Sequence, residues 1–149
     1  MKPTNFGHLG FFAEQYRNWD WIRNKVREYL DKGIADVQVL NLFAYSGVGS
    51  MAAAEAGAGV CHLDAARGMI EWGRGNQQMN PNVPDNIRWI VDDVKKFTAR
   101  ELRRGRRYHG VVLDPPSFGR GAKGEVWKIE EDLQKLLENC RDLMAPGEP

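Results

Sequence analysis

Two hydrophobic periods alternate along the chain. From Ala13 to about Leu30, apolar residues recur at Tyr16, Trp19, Ile22, Val26 and Tyr29/Leu30 with charges between them. That is a helical period, and it predicts an amphipathic helix. Lys32-Gly33 stops it. Val37 to Leu42 is a short apolar run that fits a buried strand, and the small residues from about Gly49 to Ala56 predict a helix ended by Gly57. The same alternation repeats. Val60-Cys61-His62-Leu63-Asp64, Ile87–Val91 and Tyr108–Leu113 predict strands. Ala65 to about Met79, Val94–Arg104 and Val126–Met144 predict helices. Ser117–Gly124, with three glycines, reads as a loop, and residues 1–12 read as an irregular arm. Strands alternating with helices predict βαβ units, hence an α/β fold with a doubly wound parallel sheet of four strands. The 149 residues suit one domain. In it, an arm and helix over 1–36 precede a core over 37–149.

Ligands of such sheets bind outside the carboxyl ends of the strands. Here those ends carry distinctive residues: the Phe43–Gly49 turn, Asp64, Asp92-Asp93 and Asp114-Pro115-Pro116. A glycine-bearing turn that opens a helix lets a ligand approach the backbone and presents free N–H groups to it. Asp64 stands where a carboxylate can accept hydrogen bonds from ribose hydroxyls, and Asp93 could take an adenine amino group. Each acid also precedes a helix, so each alone reads equally as an N-cap. Four such strand ends in order are harder to assign to coincidence. Proline pushes the residue before it to extended geometry, and two in succession stiffen a turn. Asp114 and the Pro115 carbonyl are then paired acceptors suited to an exocyclic amino group of a base. Phe118 either stacks on a base or packs on the final helix.

Taken together and in order, these motifs resemble those of class I S-adenosylmethionine-dependent methyltransferases. Within that superfamily the chain is similar to the bacterial ribosomal-RNA methyltransferases with an N-L-F-A-Y-[ST]-G motif, here Asn41–Gly47, and a D-P-P-x-F motif, here Asp114–Phe118. The resemblance covers about Phe11 to Gly147. It implies a Rossmann-like sheet of order 3-2-1-4, with the superfamily's strands five to seven lying beyond this chain. It implies S-adenosylmethionine as cofactor and a base of RNA, ribosomal RNA foremost, as acceptor. Phe43, Ala44, Tyr45, Ser46 and Gly47 would face the methionine part. Asp64, with Ala65 beside it, would hold the ribose, and Asp93 with Val94 would meet the adenine. Asp114, at the boundary of cofactor and acceptor, would orient the methyl acceptor with Pro115, Pro116 and Phe118. The arm Gly10–Arg17 resembles the family's G-x-F-x-D-x-R pattern, with Tyr16 where the family has Arg. Asn41 replaces the superfamily's usual acid, a departure that this group of families shares.

Two other functions compete. Gly47–Ala52 matches the G-x-G-x-x-A of dinucleotide oxidoreductases, with Asp64 downstream, but Phe43–Ser46 intervene between strand and turn, and Asp-Pro-Pro has no role there. A non-catalytic cofactor- or RNA-binding remnant is the third reading.

Composition narrows the setting. With 42% hydrophobic and 28% charged residues the chain reads as soluble and globular, and its net charge of +1 gives no bulk attraction to nucleic acid. No apolar run approaches the roughly 20 residues that span a bilayer, and the N-terminus lacks a signal peptide's apolar core, so a cytoplasmic protein is expected. Cys61 and Cys140 lack metal-ligand spacing and read as buried small hydrophobes, so no metal is expected. Arg100, Arg103, Arg104, Arg106 and Arg107 read as a solvated helix end away from the site. A fourth strand apolar on both faces reads as central in a sheet. With no fifth strand encoded, its edge is expected to be covered by a second copy or another chain.

Overall fold

The computed structural model describes residues 16–44, 47–121 and 123–145. The arm, residues 13–15 of the expected first helix, Tyr45 and Ser46 lie outside them. The elements are α1 (Tyr16–Asp31), β1 (Gln38–Leu42), α2 (Val48–Glu55), β2 (Gly59–Asp64), α3 (Arg67–Gln78), β3 (Ile87–Val91), α4 (Val94–Arg103), β4 (Gly110–Leu113), β5 (Phe118–Arg120), β6 (Val126–Lys128) and α5 (Ile129–Leu143). The sheet order is β3-β2-β1-β4, all parallel. This is the expected Rossmann-like α/β architecture, and it brings all four carboxyl ends to one edge.

Strand alternation divides the core between the two faces of the sheet. Val39 and Val60 pack with Ile22, Val26 and Tyr29 of α1 and the alanines of α2. Leu40, Leu42 and Leu63 pack with Phe97 of α4 and Leu136 and Leu143 of α5. Asp93 starts α4 by accepting the Lys96 N–H at 3.0 Å. Gly105, at φ +71°, ends it, with the Gly105 and Arg106 N–H groups turned back onto Leu102 and Glu101. The buried Tyr108 hydroxyl donates to the buried Glu101 carboxylate at 2.6 Å and so ties the end of α4 to the start of β4. Burial, reinforced by that carboxylate, raises the pKa of the phenol.

One expectation needs correcting. The segment after Asp114 is not a loop leading straight into a helix. Residues 118–120 and 126–128 form an antiparallel hairpin, and α5 begins only at Ile129. The cause is Trp127. Its indole is buried, donates to the Pro116 carbonyl at 2.8 Å and packs on Phe43 with ring centroids 4.9 Å apart. Those contacts hold Val126–Lys128 extended. Just before β4, the chain is bridged to the end of α5. Leu143 accepts the Tyr108 N–H, and the Ala145 N–H reaches the Tyr108 carbonyl, each at 2.8 Å. This bridge runs parallel to β4.

Candidate active site

The turn after β1 is shaped by two left-handed residues, Phe43 at φ +55° and Gly47 at φ +92°. The Ala44 N–H bonds Leu63 O at 3.0 Å, which draws the turn over the end of β2. Gly47 is the N-cap of α2 and, having no side chain, gives the helix start no side-chain cap of its own. A Cβ at Gly47 would lie 3.1–3.2 Å from the Trp89 ring, and its φ is one that a side chain disfavours.

Asp64 ends β2 with only 8% of its surface exposed. Its Oδ1 accepts the Ala66 N–H at 2.9 Å, while Ala66, not Asp64, is the N-cap of α3. Ala65 beside it is half-buried. At the end of β3, Asp93 caps α4 and is 8% exposed, with Val94 buried behind it. Asp92 is occupied otherwise, accepting the Asp93 N–H and pairing with Arg100 at 2.8 Å. Arg100 therefore differs from the other four arginines, since it braces the end of β3 rather than lying in a solvated helix end. Asp114 is exposed at the end of β4, and Pro115 and Pro116 follow it half-buried. The Pro116 carbonyl is taken by Trp127. Phe118 is 49% exposed on the hairpin, with the Arg120 guanidinium 5.4 Å from its ring.

The structure thus gathers Phe43, Ala44, Gly47, Asp64, Ala65, Asp93, Val94, Asp114, Pro115, Pro116 and Phe118 along the carboxyl edge of one sheet and in the hairpin beyond it. Tyr45 and Ser46 lie outside the described residues. Neither cysteine is a primed nucleophile. Both are buried, and burial pushes each thiol up to about 11. Sequence reasoning missed Trp127, which mounts the hairpin on both Phe43 and Pro116. The apolar pair Val126-Trp127 was absorbed into the helical period that follows it.

These groups suit a nucleoside cofactor: a buried carboxylate at the end of β2, a helix start capped by a glycine after β1, and that glycine pressed against an aromatic plate. The sequence model of the S-adenosylmethionine-dependent methyltransferase family matches residues 13–149, so the chain belongs to that family. The dinucleotide reading falls with it, since α2 begins only at Val48, well after β1 ends at Leu42.

Among relatives, the ribosomal RNA large subunit methyltransferase K of Neisseria meningitidis serogroup B is 28% identical over 80% of this chain and 34% of its own length. The K/L enzyme of Hahella chejuensis is 31% identical over 81% of this chain and 17% of its own. This chain therefore spans about a third or less of these relatives. A crystal structure of a SAM-dependent methyltransferase from Agrobacterium tumefaciens matches with a TM-score of 0.90 and 43% identity, over 96% of this chain and 44% of that one. SMU.776, solved in complex with SAH, matches at 0.71 and 29%, over 91% of this chain and 34% of its own.

Proposed function

We propose that this chain carries the methyl-transfer core of an enzyme that modifies a base of RNA, with ribosomal RNA as the substrate class. The observation that carries this is the placement of Asp114-Pro115-Pro116 on the same sheet edge as Gly47 and Asp64, in a chain of the methyltransferase family. The names of the curated relatives support the acceptor. S-adenosylmethionine, when bound, would supply an electrophilic sulfonium methyl for the acceptor. Phe43, Ala44 and Gly47 shape the wall for the methionine part, and Asp64 holds the ribose hydroxyls. Asp93 and Val94 border the adenine. The Asp114 carboxylate and the Pro115 carbonyl accept from the base and align its nucleophilic atom with the methyl. Pro116, through Trp127, keeps that turn in place, and Phe118 offers a stacking face. The work of the protein is chiefly alignment. A cytoplasmic setting goes with this reading. Among the described residues, no helix is long and apolar enough to cross a membrane.

The test is transfer of labelled methyl from S-adenosylmethionine to undermethylated ribosomal RNA. Label in a base is expected. Cofactor binding with no transfer to any RNA would leave the non-catalytic reading.

The open edge of β4 past Tyr108 borders a groove of about 690 Å³ lined by Trp21, Tyr29, Val111, Val112, Leu137 and Met144. The proposed cover is a second copy, pairing across a two-fold axis, or another chain. Sedimentation at micromolar concentration is expected to show a dimer, and a compact monomer there would refute the second copy.

A further inference from the structure

Strand register aligns one row of side chains across the sheet. Val112 pairs with Asn41, Asn41 with His62, and His62 with Trp89. The row lies just below the carboxyl edge, beneath the Gly47 turn. Its two middle members are polar and buried, His62 wholly and Asn41 at 5% exposure. They meet a third buried polar group, Ser50, in the first turn of α2. Asn41 Nδ2 donates to Ser50 Oγ at 3.0 Å, and Ser50 Oγ lies 2.8 Å from His62 Nδ1. A serine hydroxyl both accepts and donates, so Ser50 can take the asparagine N–H and give its own proton to the imidazole. The His62 ring in turn packs on Trp89 with centroids 4.5 Å apart. Trp89 is held from behind by the bond from its Nε1 to Gln77 Oε1 at 3.0 Å, and its ring blocks the side of Gly47.

Burying three polar side chains together needs a return, because hydrophobic residues would fill the space at lower cost. The character of α2 supplies one. Beyond Ser50 it is Met51-Ala52-Ala53-Ala54, all buried. A helix of small residues packs closely but has few side chains to interlock with its neighbours, so little resists its sliding along the sheet. Two directional bonds from Ser50 to β1 and β2 set the height of its first turn.

We propose that Asn41, Ser50, His62 and Trp89 are positioning residues for the cofactor. They hold the Gly47 turn and the first N–H groups of α2 at the height where S-adenosylmethionine binds. None touches the cofactor in this account. They act through the turn, because hydrogen bonds to a ligand weaken steeply once donors are misaligned. This rests on cofactor binding at that turn.

The test compares calorimetric titration with S-adenosylhomocysteine, and the melting temperature of the free protein, in Ser50→Ala, His62→Leu, His62→Asn and Leu143→Ala. Leu143 is a fully buried residue at the far end of α5 and serves as a stability control. Ser50→Ala and His62→Leu are expected to bind about tenfold more weakly or worse. His62→Asn, whose amide oxygen can replace Nδ1 as acceptor, is expected to recover most of the affinity. Leu143→Ala is expected to melt lower and bind normally. If His62→Leu fails to fold, Ser50→Ala decides alone. Wild-type affinity in folded Ser50→Ala overturns the proposal, whatever its melting temperature. A wild-type chain that does not bind S-adenosylhomocysteine overturns the cofactor site as well, so the two failures are distinct.

Discussion

Asp64→Ala is expected to weaken S-adenosylmethionine binding by about 1.5–3 kcal/mol, the range for hydrogen bonds to a charged group. The carboxylate is largely buried at the end of β2, and one oxygen already accepts the Ala66 N–H. A carboxylate can accept several hydrogen bonds, and on the proposed reading a ribose diol would donate to it. The alanine variant also removes the Ala66 bond and loosens the turn into α3. Asp64→Asn separates the two effects, since its amide oxygen can keep the Ala66 contact while its NH2 replaces an acceptor with donors. Calorimetric titration of both variants is the measurement. Weak binding in both assigns the loss to the ribose. Normal binding in Asp64→Asn, with weak binding only in Asp64→Ala, leaves Asp64 a turn residue.

The layout of the sheet was legible because the local signals agreed. Each strand is a short apolar run ending in an acid or a glycine turn, and each helix has a breaker behind it, as Gly57 follows α2 and Gly105 follows α4. Strand order was not legible from periodicity, which says nothing about neighbours; it came with the family resemblance. The hairpin was hidden because its strands are three residues long and the first holds Gly119, while Ile129, Leu133 and Leu136 impose a helical period on everything near them. Only the burial of Trp127 against Phe43, 84 positions earlier in the chain by their numbering, shows why 126–128 are extended. The polar row left a trace that went unread. Asn41 and His62 are the polar positions inside Val39-Leu40-Asn41-Leu42 and Val60-Cys61-His62-Leu63, where a buried strand has no use for them without a partner. Ser50, the partner, lies on a helix, and the pairing follows from register, which sequence spacing does not encode. Asp93 was readable both as a cap and as a cofactor ligand. Its bond to Lys96 establishes the first role and leaves the second to experiment.

Asp114→Asn is expected to lower turnover by about a hundredfold, the scale on which small misplacement of a reacting group acts, with cofactor affinity nearly unchanged. Asp114 follows directly on β4, the strand that pairs with β1 from Val39↔Gly110 to Leu42↔Leu113. Its backbone is therefore registered against the Phe43 turn that follows β1. Two prolines and the Trp127 bond to Pro116 fix the chain beyond it. The backbone there is thus held on both sides, while Asp114 itself is exposed, as the proposed meeting with an incoming base requires. Asparagine keeps the shape but substitutes donors for part of the acceptor, so an amino group of the base meets an N–H where it needs a lone pair. A loss confined to alignment lowers kcat and kcat/KM together and leaves cofactor binding alone. Single-turnover methyl transfer, measured beside a titration with S-adenosylhomocysteine, distinguishes the cases. If affinity collapses and turnover per bound cofactor does not, Asp114 belongs to the cofactor site and the acceptor must be held by other groups.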